Sequence, residues 1–383
     1  MREASSVERP PRVLVRAVAG APSDLTGPDL AAAVEQALDF LDYDFAGKRV
    51  WVKPNLLGAH APDAGVTTEP ALIHAVVAGL RRRNAADVWV FDNPGGSTYG
   101  NITDYIAVTG AVEASDGAFR VGAQTPHMLP MKSRFMTELP VSRFVIETDV
   151  ILNLPVMKSH GLTILTGSIK NLYGLIPGGH KSALHRLVPD SEDFAELLVD
   201  IYQAVPIPVL TIMDALRGMD GQSGPSSGRV LKLGKLLAGA NPVAVDSVFA
   251  RMAGAEPDSI PMLRIAHDRG LGPALADIEI QGDATPIPGF HLPSRRVASF
   301  VGKYMGNLMD GWFRHAPVLA KPRCIKCRRC EKNCPVQAIT MSPFPLIDRH
   351  KCIHCYCCAE ICPEHALSIP SNVRSFWLHV LGR

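Results

Sequence analysis

The stretch CIHCYCCAEICPEHAL, residues 352–367, aligns without a gap on CIKCRRCEKNCPVQAI, residues 324–339. Each copy reads C-x2-C-x2-C-x3-C-P, an internal repeat with an offset of 28 residues. All nine cysteines of the 383-residue chain fall between Cys324 and Cys362. A disulfide-stapled secreted protein would spread them along the sequence. Their confinement points to reduced thiols in a cytoplasmic setting, gathered for a metal. Structural zinc also uses C-x2-C pairs, but four ligands satisfy it, which gives no reason for two matching four-cysteine halves. Iron–sulfur chemistry accounts for both.

The paired runs resemble the bacterial two-cluster ferredoxin, over roughly residues 320–370. In that fold the fourth cysteine of each run ligates the other cluster. The resemblance implies one 4Fe–4S cluster on Cys324, Cys327, Cys330 and Cys362, and a second on Cys352, Cys355, Cys358 and Cys334. Cys357 is left over, as a small buried hydrophobe or a free thiol. Charge around the thiols is one-sided. Between Lys321 and Tyr356, Lys321, Arg323, Lys326, Arg328, Arg329, Lys332, Arg349 and Lys351 are opposed only by Glu331 and Asp348. Such a basic rim suits an acidic electron donor, a ferredoxin or flavodoxin.

Upstream, short β-branched runs alternate with longer helical patterns. RVLVRAV (12–18), RVWVKPN (49–55), ADVWVFDNPGG (86–96), TDVILNLP (148–155) and PVLTIMDAL (208–216) read as strands. GPDLAAAVEQALDFL (27–41), EPALIHAVVAGLRRRN (69–84), SEDFAELLVDIYQAV (191–205) and NPVAVDSVFARMAG (241–254) read as helices. The alternation predicts an α/β fold, a mostly parallel sheet flanked by helices. Ligands of such sheets bind beyond the carboxyl ends of the strands. Three prolines in GDATPIPGFHLPSRR (282–296) mark a boundary. The expected division is a core domain over 1–285, a linker over 286–320, a small α+β two-cluster ferredoxin-like domain over 321–370, and a tail over 371–383. Within the linker an amphipathic helix (297–313) is expected to pack on the body. A net charge of +2 weighs against a nucleic-acid binder, and no run of eighteen apolar residues offers a membrane span.

Charged and amide side chains gather where the strands end: Lys53 and Asn55, then Asp92 and Asn93, then Lys158, His160, Lys170, Asn171, His180 and Lys181. Asp214 and Asp246 follow. Converging lysines would form an electropositive pocket for a carboxylate or phosphate, an anionic small molecule. His185 and His267 read as ordinary surface or helix residues. The ordered motifs KPN (53–55), PVMKSHG (155–161), TGSIKNLYG (166–174), MDA (213–215) and GANPVAVD (239–246) resemble the family called domain of unknown function 362, across roughly residues 45–285. That resemblance implies an α/β core joined to 4Fe–4S clusters. It places the family's shared polar residues at Lys53, Asn55, Lys158, His160, Lys170, Asn171, Asp214 and Asp246, and it names no reaction. Side-chain chemistry suggests that Lys158 and Lys170 neutralise the substrate anion while His160 moves a proton. Asp214 or Asp246 would orient a basic group or stay structural.

GGSTYG (95–100) could cradle a flavin phosphate. It has neither the G-K-S/T ending of a nucleotide loop nor the G-x-G-x-x-G of a dinucleotide fold. Three functions therefore stand side by side. One is a reductase passing electrons through two 4Fe–4S clusters to an anionic organic substrate. Another is an electron-transfer or assembly partner with no substrate of its own. The third is a non-redox isomerase or lyase with structural clusters, since KNLYGLIPGG (170–179) resembles the glycine-rich lysine loop of nickel-pincer lactate racemases.

Overall fold

Among the described residues, nine strands build one sheet. They are β1 (Arg12–Ala17), β2 (Arg49–Pro54), β3 (Asp87–Val90), β4 (Val150–Leu154), β5 (Val156–His160), β6 (Ile164–Leu165), β7 (Val209–Asp220), β8 (Arg229–Gly239) and β9 (Glu279–Gly282). The computed structural model describes residues 10–19, 28–95, 102–121, 126–222, 224–293 and 316–369. The strand order is β9-β1-β8-β7-β4-β2-β3, with β5 along the far half of β7 and β6 beyond it. The β9/β1, β7/β4, β4/β2, β2/β3 and β7/β5 ladders are parallel, so the sheet is mostly parallel, as its sequence implies. The exceptions are the two-residue β6, antiparallel to β5, and β8, antiparallel to both neighbours and unassigned by the sequence pattern. Only residues 221–228 join β7 to β8, too few for a parallel crossover, so the chain must turn back on itself.

Both faces of the sheet are covered. Val50 and Val52 of β2 face a core shared with helices α1 (Pro28–Phe40) and α2 (Pro70–Arg82). Trp51 points the other way, into a core shared with α3 (Ser191–Ala204) and α4 (Pro242–Met252). The period of two along the strand produces this split. On α1 the buried Leu30, Ala33, Val34, Ala37 and Leu38 recur at helical spacing, and α2 and α4 each start on a proline that needs no hydrogen-bonded N–H there.

The twelve-residue β7 serves two partners in turn. Its first residues pair with β4, at Ile151↔Val209 through Asn153↔Thr211; its later ones pair with β5, at Val156↔Asp214 and Lys158↔Met219. Between β4 and β5 stands Pro155, which has no N–H to donate, and the ladder breaks there. The Pro155 carbonyl still accepts the Asp214 N–H at 2.7 Å. The chain thus jogs sideways, and β5 carries Lys158 and His160 past the end of the parallel ladder.

The cysteine region is a small domain of two two-stranded pairings, Val318–Leu319 with Leu367–Ser368 and Ile339–Met341 with Pro345–Ile347, and two short helices, Arg329–Lys332 and Cys357–Glu360. Left-handed backbone recurs at Lys326 and His354, Arg328 and Tyr356, and Gln337 and His365, each pair 28 residues apart. The sequence repeat is therefore a backbone repeat. This domain sits against the core: the His60 and His365 rings stack at 5.4 Å, and Ser226 Oγ donates to the Ala359 carbonyl at 3.3 Å. The expected helix at 297–313 and the tail at 371–383 lie outside the described residues. Among the described residues no helix is long and apolar enough to cross a membrane.

Candidate functional site

At the end of β2, Lys53 is fully buried with Nζ 2.8 Å from Asp92 Oδ1. Asp92 Oδ2 accepts the Leu56 N–H at 2.8 Å, which ties together the loops after β2 and β3. Gly174 rests directly on the pair, where a Cβ would overlap both the Asp92 carboxylate and the Lys53 ammonium. Burial lowers the Lys53 pKa and the carboxylate works against that.

The short helix Ser168–Asn171 hangs on Asp246 of α4. The Ser168 N–H donates to Asp246 Oδ1 at 2.6 Å and the Ile169 N–H to Oδ2 at 3.0 Å. Gly167 makes room, since any Cβ there would strike the same carboxylate. Burial raises the Asp246 pKa to about 7 despite these donors. Asn171 Nδ2 donates to Asn153 Oδ1 at 2.8 Å and locks the helix to β4. So held, the helix presents Lys170. Among the described residues Lys170 has no hydrogen bond or ion pair, only a cation–π contact to the Tyr173 ring at 6.0 Å. Burial pushes its pKa down.

Lys158 on β5 is almost fully buried. Its Nζ donates to Asn55 Oδ1 at 2.7 Å and to the Val66 carbonyl at 2.6 Å, both neutral acceptors. Burial, then the neighbouring Lys170 charge, lowers its pKa to about 7. Two of its three N–H groups are used, leaving one. Asp214 sits inside β7, not at its end; it accepts the Glu69 N–H at 2.7 Å and the Leu216 N–H at 3.0 Å, and burial raises its pKa to about 6. It fixes the start of α2.

Lys158, Lys170, Asn55, Asp92 and Asn171 line one cavity of about 110 Å³ beyond the strand ends, together with Tyr173, Lys181 and His185. The opposite wall is the cysteine domain, through Asn333, Cys357, Glu360 and Ile361. A single water needs roughly 10–15 Å³ of such space, so the cavity suits a small organic acid. Lys181 donates to the Asn93 carbonyl, and burial lowers its pKa to about 8. His185 is 7% exposed, stacked on Phe194 at 4.5 Å, and its Nδ1 has no hydrogen-bond partner. Burial lowers its pKa to about 3, so the imidazole is neutral.

His160 does not line the cavity. Its Nδ1 accepts the Leu162 and Thr163 N–H groups at 3.0 and 3.2 Å, which places the ring proton on Nε2. Nε2 lies 3.1 Å from Glu360 Oε1, close but outside hydrogen-bonding alignment. Burial and the Lys170 charge hold the His160 pKa at about 4. His160 is thus a neutral ring outside the cavity lining, with Nδ1 occupied and Nε2 beside the cavity-lining Glu360. Lys53, Asp214 and Asp246 are likewise set back from the cavity, as an ion pair and two helix anchors. Glu360, Cys357 and His185 are the residues sequence reasoning missed. Their only signal was the extra thiol and an i, i+4 step from Lys181 to His185. Three lysines against one unshared carboxylate leave the cavity short of negative charge.

In the cysteine domain, Cys324, Cys327, Cys330 and Cys362 line one small cavity and Cys334, Cys352, Cys355 and Cys358 line another. The residues fit the metal group implied by the repeat. Among the described residues no three His, Cys, Asp or Glu side chains converge on one ion position, whereas each cavity has four thiols spread around it. That spread suits a polynuclear cluster better than a mononuclear ion.

Comparison with known proteins agrees with this geometry. Residues 50–251 match the family described as Domain of unknown function (DUF362), and residues 323–370 match the 4Fe-4S dicluster domain. The cysteine region is thus a 4Fe–4S dicluster domain. The Thylakoid-associated protein sll1697 of Synechocystis sp. is 30% identical over 236 residues, 61% of this chain and 71% of that protein. Among solved structures, a Thermotoga maritima protein aligns with TM-score 0.36 and 11% identity over 58% of this chain and 56% of its own. The lactate racemase apoprotein of Thermoanaerobacterium thermosaccharolyticum aligns with TM-score 0.37 and 12% identity over 63% and 57%. The chain spans little more than half of each of those two structures.

Proposed function

We propose that this chain, which belongs to the DUF362 family, is an iron–sulfur reductase of a small carboxylate bound between its α/β core and its ferredoxin-type domain. One observation carries the reading: the lysine-lined cavity takes its far wall from the cysteine domain itself, at Cys357 and Glu360. Two 4Fe–4S clusters would be held by Cys324, Cys327, Cys330 and Cys362, and by Cys352, Cys355, Cys358 and Cys334. When bound they supply single electrons.

The side chains divide the remaining work. Lys170 and Lys181 hold the substrate carboxylate, and Asn171 and Asp246 keep Lys170 in place. Lys158, poised near pH 7 with one N–H to spare, donates a proton to the atom being reduced. Its Asn55 contact preserves that orientation. His160 braces Glu360 from behind. Each two-electron reduction consumes two electrons and two protons. The GGSTYG loop read from the sequence as a flavin-phosphate cradle lies, beyond Gly95, outside the described residues. The confinement of all nine cysteines to two cluster-type runs supports a cytoplasmic location.

The test uses anaerobically purified, reduced protein mixed with a panel of 2-oxo and 2,3-unsaturated carboxylic acids, following cluster reoxidation near 400 nm. At least one acid should reoxidise the wild type well above buffer. Lys170→Met should raise the half-saturating concentration by about 10- to 100-fold, the loss of one charge-assisted hydrogen bond. Equal rates with and without every acid would sink the reading.

A further inference from the structure

We infer that the cluster site of the first cysteine run is the port at which an acidic one-electron carrier docks, on the face formed by Lys321, Arg323, Lys326 and Arg328. The inference rests on the iron–sulfur reading above. Its basis is that the two runs share a backbone but not a setting. In the first run Lys321, Arg323, Ile325, Lys326 and Arg328 are exposed, and so is Cys327 itself. In the second run every residue from Cys352 to Cys358 is half-buried. There Cys357 and Glu360 wall the cavity, and Tyr356 packs into the core beside Gly161. One site faces solvent and its twin faces the ligand.

Positions related by the repeat make the contrast concrete. Arg328 corresponds to Tyr356, Arg329 to Cys357 and Lys332 to Glu360. Cations stand in the first copy where the second has apolar, thiol or acidic groups turned to the core. Among the described residues, Lys321, Arg323 and Lys326 have no carboxylate within ion-pair distance. Arg328 shares Glu331 at 2.7 Å, and Glu364 is the other acid beside this site. Ile325, next to the ligand Cys324, is 60% exposed. An exposed apolar side chain among cations is the complement of a carrier whose cofactor lies under an acidic surface. At each encounter one electron leaves the carrier and one is gained by the protein, with no bond made or broken.

The experiment follows cluster bleaching by stopped flow when flavodoxin hydroquinone meets the oxidised holoprotein, with no substrate present. Lys321→Glu, Arg323→Glu and Lys326→Glu combined should slow the second-order rate at least tenfold at 10 mM salt. Raising salt to 0.5 M should remove most of the difference, since screening shortens the attraction. Arg349→Glu with Lys351→Glu, in the second half of the repeat, should react like wild type. Iron content and the rate with a photogenerated deazaflavin radical check that the clusters are intact. A triple variant as fast as wild type at low salt overturns the inference, as does equal slowing by the second-half pair. Because no substrate is added, a failed search for a reducible acid would leave this result untouched, and the reverse also holds.

Discussion

Replacing Asp92 with alanine removes the carboxylate that compensates a fully buried ammonium. In the wild type Lys53 Nζ has Asp92 at 2.8 Å and otherwise only the Pro54 carbonyl at 3.3 Å. Without Asp92 the folded chain must keep a bare charge or release the proton. Neutralising a lysine of ordinary pKa near 10.4 at pH 7 costs about 4.6 kcal/mol. That matches the roughly 3–5 kcal/mol seen when one partner of a buried pair is removed. The pH dependence separates this account from simple loss of packing. In the variant Lys53 is neutral when folded and protonated when unfolded, so the unfolded state binds more protons. Stability then rises with pH by about 1.4 kcal/mol per unit up to the unfolded pKa. Between pH 7 and pH 9 the deficit should shrink steadily as pH rises. Urea unfolding under anaerobic conditions, read by tryptophan fluorescence, reports on it, since Trp51 and Trp89 lie in β2 and β3. A loss below about 1 kcal/mol with a flat pH dependence would show that Lys53 escapes to water, and the argument from the buried pair would be wrong.

Gly167→Ala should cost about 1–3 kcal/mol by overpacking against Asp246 and should weaken carboxylate binding, because the displaced helix carries Lys170; titration of the oxidised protein with the reducible acid checks both. Reduction should slow about tenfold per unit as pH rises above 7, where Lys158 loses its proton, and Lys158→Met should lower kcat about 10²- to 10⁴-fold and abolish that limb. Chemical analysis should find about eight iron per chain. Cys357→Ser should leave that number unchanged while altering the cavity wall, whereas Cys334→Ser should lose iron from the second-run site.

Much of this arrangement was legible before any coordinates. The four helical stripes from Leu30 to Met252 follow from apolar spacing, and the two rings of cysteines follow from a repeat that any fold must respect. What escaped was set by contacts between distant segments. β8 carries no pattern of its own that marks an antiparallel return; the brevity of 221–228 decides it, and brevity signals only once β7 is known to run to Asp220. Asp214 and Asp246 read in the sequence as site residues that would orient a basic group or stay structural; their work is to hold backbone N–H groups at Glu69 and Ser168, which no sequence interval encodes. His160 entered the candidate site by its motif and its imidazole, but the turn after β5 occupies Nδ1 with the Leu162 and Thr163 N–H groups, a local contact the motif does not announce. His185 and Cys357 meet across 172 positions of sequence, and only the docking of one domain on the other makes either of them a wall.

A cavity whose two walls belong to different domains binds its ligand and its iron–sulfur domain as linked equilibria. Whatever factor the docked domain adds to ligand affinity, the ligand returns to the docked state in equal measure. On the proposed function, occupancy of the cavity would guard the clusters: a chain holding substrate would keep its second cysteine run shut against oxygen and chelators for longer than an empty one. Supply of the substrate and retention of the iron would then be coupled by one reciprocal free energy.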